Sequence, residues 1–144
     1  MNSSRMAFWL CIVALVLAIG CAGLTARTQG RADMVVVDNL VAPDLPTPSG
    51  FRIDNDRSYF KVDATTGTRI VFVTYRGRGE ALALMDFFRQ NMAISGWHLK
   101  RESGDFGAYV LNFEKDKEAA EVRIVPTRAS TEFSISVSPR ASSR

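Results

Sequence analysis

One histidine and two cysteines bound the chemistry open to this chain of 144 residues. With His98 alone, a metal site built from several imidazoles is excluded, and Cys11 and Cys21 are too few and too close to the start to supply a zinc cluster or a disulfide framework. A Ser-His-Asp arrangement would need His98 beside one of the many serines, but no Gly-x-Ser-x-Gly elbow occurs. The carboxylates Asp54 and Asp56, and Asp116 and Glu118, fall in polar turns, whereas paired acids for glycoside chemistry need a cleft. The expectation is therefore no catalytic residue, no metal and no cofactor, hence not an enzyme. Arg76-Gly77-Arg78-Gly79 has the look of an arginine-glycine segment, but it occurs once and the formal net charge is only +3. Nucleic acid is not an expected partner.

Cys21 is the residue placed for covalent modification. It follows Ala18-Ile19-Gly20, which resembles the bacterial lipobox, where a small residue precedes a cysteine that becomes acylated. The third residue before that cysteine is usually Leu; here it is Ala18, with Leu17 one place further out. Ahead of it stand Arg5, the α-amino group and an uncharged run from Met6 to Ile19, the layout of a secretory leader. Counted on to Ala26 the run reaches about 20 residues, enough to span a bilayer, so an uncleaved anchor and plain cleavage near Gly20-Cys21-Ala22 stand as alternatives to acylation. With Arg5 and the amino group on one side and Arg27 and Arg31 on the other, charge does not decide between a leader and a retained anchor. Acylation or a retained anchor sets the remaining chain beside a membrane, facing the periplasm, and plain cleavage still leaves it exported.

The elements that follow divide into a tether and one domain. Residues 22 to 56 carry Pro43, Pro46 and Pro48 and one apolar knot, Met34 to Val37, and read as a semi-extended linker. From residue 57 to 138 the pattern is that of a folded unit, with 139 to 144 a disordered tail. Tyr59 to Asp63 and Arg69 to Arg76, split by Thr66-Gly67, read as a hairpin, and Ile70 to Tyr75 is apolar on both faces. A helix from about Gly79 to Ser95 gathers Ala81, Leu84, Met85, Phe88 and Met92 on one stripe, and Gly96 is placed to end it. Four strands follow, from Trp97, Ala108, Ala120 and Glu132; in the last, Phe133, Ile135 and Val137 alternate with serines. The fold class is α+β in two layers, one main helix packed on an antiparallel-rich sheet in the order β-β-α-β-β-β-β.

That order gives one candidate binding corner. Strands flanking a helix in one sheet return in the same direction, so Arg76 and Arg78 are expected near Lys100 and Arg101, beside the amino end of the helix. Such a corner suits an anion, a phosphorylated lipid headgroup or an acidic glycan.

Leu45-Pro46, Gly50-Phe51, Tyr75-Arg76-Gly77, Phe87-Phe88, Met92, Gly96-Trp97 and Asn112 to Lys115 together resemble a family of small lipoproteins of Gram-negative bacteria with no known function. The resemblance covers roughly residues 45 to 138; its motifs are structural, and it implies an envelope lipoprotein without supplying a substrate. The expected function is a non-enzymatic binding or structural module held at a membrane, with an envelope protein or an anionic lipid or glycan as partner. The alternatives are a small periplasmic enzyme or ligand-binding domain, and a single-span inner-membrane protein acting in a complex.

Overall fold

Alternation builds the sheet. In the last strand, Thr131, Phe133, Ile135 and Val137 are buried while Glu132, Ser134 and Ser136 between them are half-exposed, the period of two of a strand covered on one face. The computed structural model describes Met34, Val36–Val37 and residues 42–105 and 107–140. The chain divides into two units, Met1–Ala32 and Asp33–Arg144, and every described residue belongs to the second. The leader, Cys21, about half of the expected linker and residues 141–144 lie outside the described residues. Among those that are described, no helix is long and apolar enough to cross a membrane.

The elements are β1 (Val36–Val37), β2 (Thr47–Pro48), β3 (Phe51–Ile53), a 3-10 turn (Asn55–Arg57), β4 (Tyr59–Val62), β5 (Arg69–Gly77), α1 (Ala81–Ile94), β6 (His98–Asp105), β7 (Ala108–Lys115), β8 (Glu118–Pro126) and β9 (Thr131–Pro139). β1 and β2 pair as a ribbon. The other strands form one seven-stranded sheet in which β3 and β4 both flank β5 on its outer side, followed by β9, β8, β7 and β6. Every pairing is antiparallel. The architecture is thus α+β, an antiparallel sheet with one helix among the described residues. The expected order holds from β4 to β9, and three short strands precede it.

Register places the apolar residues of neighbouring strands in rows. Val73, Ile135, Val122 and Leu111 are successive cross-strand partners, and all four are buried. The helix contributes Leu84, Met85, Phe87, Phe88 and Met92 to the same core, so its buried stripe takes in Phe87 beyond the expected set. Phe133 is the hub: its ring lies 5.1 Å from Phe88, 4.8 Å from Tyr75 and 5.2 Å from Phe51. The helix ends as its sequence predicts. Gly96 takes φ 85° and donates to Ala93 O, and Trp97 N–H reaches Met92 O, the paired bonds of a Schellman turn.

Two expectations are corrected by this arrangement. The segment from Ala42 to Asp56 is part of the domain, because Ala42, Leu45 and Phe51 are buried in its core and β3 pairs with β5. Its prolines favour an extended chain, and Pro48 lies in a strand whose ribbon has only one partner, where a missing N–H costs little. Ile70 to Tyr75 is apolar on both faces and buried on one: Val71, Val73 and Tyr75 are buried, and Ile70 and Phe72 are exposed. Finally, β9 continues to Pro139, and Arg140 N–H donates to Lys117 O, so the ordered chain passes the expected boundary at 138.

Candidate functional site

Three places concentrate side chains whose chemistry is not exhausted by packing. The first is a charged clasp on the buried face of β5. Arg69 opens β5, and its guanidinium donates to both Asp44 oxygens, at 2.7 and 2.6 Å, and to both Glu118 oxygens, at 2.8 and 2.7 Å. Lys115 Nζ lies 3.4 Å from Asp44, 2.9 Å from Ser95 O and 5.7 Å from the centre of the Trp97 ring. The Trp97 indole N–H donates to Asp44 O. Asp44 is held below the ordinary carboxylate range, mainly by its hydrogen bonds from Arg69, against an opposing push from burial. Arg69 is correspondingly raised, first by Asp44 and then by Glu118. The clasp ties the segment before β3 to β5, β7 and β8, and its polar atoms are engaged with one another.

The second place is an arginine group at the other end of β5. Arg57 donates to both oxygens of Glu132, each at 2.8 Å, and Arg76 donates to one of them at 3.0 Å. Arg52 faces Arg76 directly across β3 and β5. Glu132 is held below its ordinary range by Arg57 first and Arg76 second. Sequence reasoning found Arg76 here and missed Arg52 and Arg57. Glu132 could have pointed to them, as a lone acid in a strand otherwise alternating serines with apolar residues.

The expected anion corner is not assembled. Counting antiparallel steps leaves β5 and β6 pointing the same way, as anticipated, but β9, β8 and β7 stand between them. At about 4.8 Å per step, Arg76 and Arg78 are some 19 Å across the sheet from Lys100 and Arg101. They also differ in level, since Arg76 is in the row of Glu132 and Val125, whereas Arg101 is in the row of Asn112, Glu121, Ser136 and Phe72. Lys100 pairs with Glu114 at 3.6 Å. His98 is exposed on β6 opposite Glu114, and among the described residues no group of three or more potential ligands for a metal comes together.

The third place is the margin formed by β4 and the adjoining half of β5. Tyr59, Phe60, Val62, Ile70 and Phe72 are 49, 44, 49, 40 and 40% exposed. Tyr59 stands opposite Phe72 and Lys61 opposite Ile70, on the face shared with the β9 serines; Phe60 and Val62 point to the other face. The hairpin closes through Asp63, whose N–H donates to Thr68 O and whose Oδ1 accepts from the N–H groups of Thr65 and Thr66. Those two amides hold the Asp63 carboxyl below its ordinary range. A shallow depression of about 320 Å³ lies elsewhere on the serine face, lined mainly by polar groups such as Lys100, Asn112, Glu121 and Ser136.

Residues 57–142 match the START domain-like family, more than half of the chain. The chain belongs to that family. The matched span of this START domain-like protein begins at Arg57, so it takes in β4 to β9 and α1 and leaves Asp44, Leu45 and β3 outside it. No curated protein and no solved structure matches the chain.

Proposed function

We propose that this START domain-like protein is a non-enzymatic binding or structural module of a bacterial envelope, tethered through an acylated Cys21 and facing the periplasm. In this reading α1 forms the second layer over one face of the sheet, and the margin of β4 and β5 is the surface offered to a partner. The observation that carries it is that margin: five large apolar side chains lie exposed side by side, whereas the other large apolar residues exposed among those described, Ile53, Leu82, Ile94 and Leu99, are spread over β3, α1 and β6, and the rest fill a core around Phe133. A surface of this kind marks an interaction site. The charged groups support the same reading, because the clasp and the Glu132 group spend their hydrogen bonds on joining strands.

The tether is tested on the full chain from its native membranes. Mass spectrometry is expected to find a mature protein beginning at an acylated Cys21, and Cys21→Ser is expected to abolish the lipid-modified form. Peptides containing Phe8 or Trp9 in that fraction would overturn lipoprotein processing and favour the uncleaved anchor.

A further inference from the structure

The partner of this margin can be narrowed from the backbone of β4. Asp63 bonds main chain to main chain with the residues leading into β5: its N–H donates to Thr68 O, and its C=O accepts from the Gly67 N–H. In an antiparallel ladder such residues alternate, so Lys61 and Tyr59 also face β5, while the N–H and C=O groups of Phe60 and Val62 point away from the sheet. The margin therefore presents apolar side chains on both faces and, between them, main-chain groups without a partner among the described residues. A bilayer would cover the side chains but leave those N–H and C=O groups unsatisfied. A surface laid on one face would leave Phe60 and Val62, or Tyr59 and Phe72, uncovered. Another strand answers all three needs at once.

We propose that the strand is β4 of a second copy of this chain, paired antiparallel about a two-fold axis at Val62. This rests on reading the margin as the binding surface. Three registers keep outward main-chain groups opposite each other. An axis at Phe60 would require the Ser58 N–H, which already donates to Asn55 O. An axis at Lys61 sets two lysines face to face in the close, non-hydrogen-bonded pair, which is destabilising. The axis at Val62 instead sets Lys61 of each copy opposite Asp63 of the other, and Val62 exchanges two main-chain bonds with its own counterpart. The Asp63 bonds to Thr65 and Thr66 are made through Oδ1, leaving Oδ2 to meet the lysine. Both apolar faces then run on across the junction.

The test uses the full chain in mild detergent and in its native membranes. Sedimentation equilibrium is expected to show a concentration-dependent dimer, and hydrogen exchange at the Phe60 and Val62 amides is expected to slow as it forms. Lys61→Glu, which sets like charges opposite each other twice, is expected to weaken the dimer about tenfold or more. Asp63→Asn keeps an oxygen for the Thr65 and Thr66 amides and is expected to weaken it less and to flatten its salt dependence. A chain that stays monomeric, or a dimer indifferent to both substitutions, would overturn the pairing. A photo-crosslinker in place of Ile70 separates this from the underlying reading. An adduct with a second copy supports both, adducts only with other proteins keep the margin and reject self-pairing, and no adduct rejects both.

Discussion

At one margin of the sheet, β6 carries His98, Lys100, Arg101 and Glu102 along an edge that no strand among the described residues pairs, and its register slips between Leu99 and Arg101. At the opposite margin, β4 carries Tyr59, Phe60 and Val62 in unbroken register with β5. An exposed edge is a template for another strand, and charges together with a bulge are the usual means of blocking it. β6 has both. Glu102 is further engaged by Arg89 of the helix, which donates to both of its oxygens, and Lys100 by Glu114. β4 has one charge, Lys61, and no bulge. Two edges of one sheet, resting on one core, are thus built for different neighbours: the β6 edge for water and the β4 edge for contact.

The largest expected effect removes the support common to both edges. Phe88 is fully buried against Phe133 and Phe87, so Phe88→Ala should cost about 3 to 5 kcal/mol, read as a lower urea midpoint with both margins losing exchange protection together. An unchanged melting curve would contradict the shared core.

A smaller change should act most strongly on the β4 side. Asp44→Asn removes the charge that receives both Arg69 nitrogens and should cost about 2 to 3 kcal/mol, since hydrogen bonds to charged groups are worth more than neutral ones. Because Arg69 opens β5 opposite Val62, exchange should quicken most in the β4–β5 hairpin and less in β6. Acid should reproduce the effect. The folded pKa of Asp44 lies below its unfolded value, so the clasp contributes fully above about pH 4 and is lost as pH falls through the lower folded value. In Asp44→Asn the share of acid destabilisation due to this group should be missing, which is measured by comparing urea midpoints from pH 6 down to pH 2.

How far these features were legible in the sequence depends on their range. The helix, its stop at Gly96 and the six strands from Tyr59 onward follow from periodicity, which is local. What was hidden depends on distant partners. Asp44 and Arg69 are 25 positions apart, and nothing near either one announces the pair. Leu45 between two prolines looks like a linker until its burial is known. The Trp97 indole N–H was a usable hint, because a buried Trp next to a helix end needs an acceptor, here the Asp44 carbonyl. The anion corner failed for a related reason: the direction of β6 followed from connectivity, but that three strands lie between it and β5 did not.

The smallest expected effect concerns the β6 edge and is the sharpest test of the contrast. Arg89 and Glu102 form a two-point pair, yet both side chains are about a third exposed, so water competes for each. Exposed pairs of this kind contribute about 0.2 to 1 kcal/mol. Glu102→Gln should therefore shift the urea midpoint by no more than that, with exchange rising only near the bulge. Its effect on association is the informative part. If β6 were also a contact edge, removing a charge from it would favour new pairing, and sedimentation would show heavier species in Glu102→Gln than in wild type. If the charges there serve solvation and helix docking, and contact belongs to β4, then Glu102→Gln should sediment like the wild type while Lys61→Glu does not.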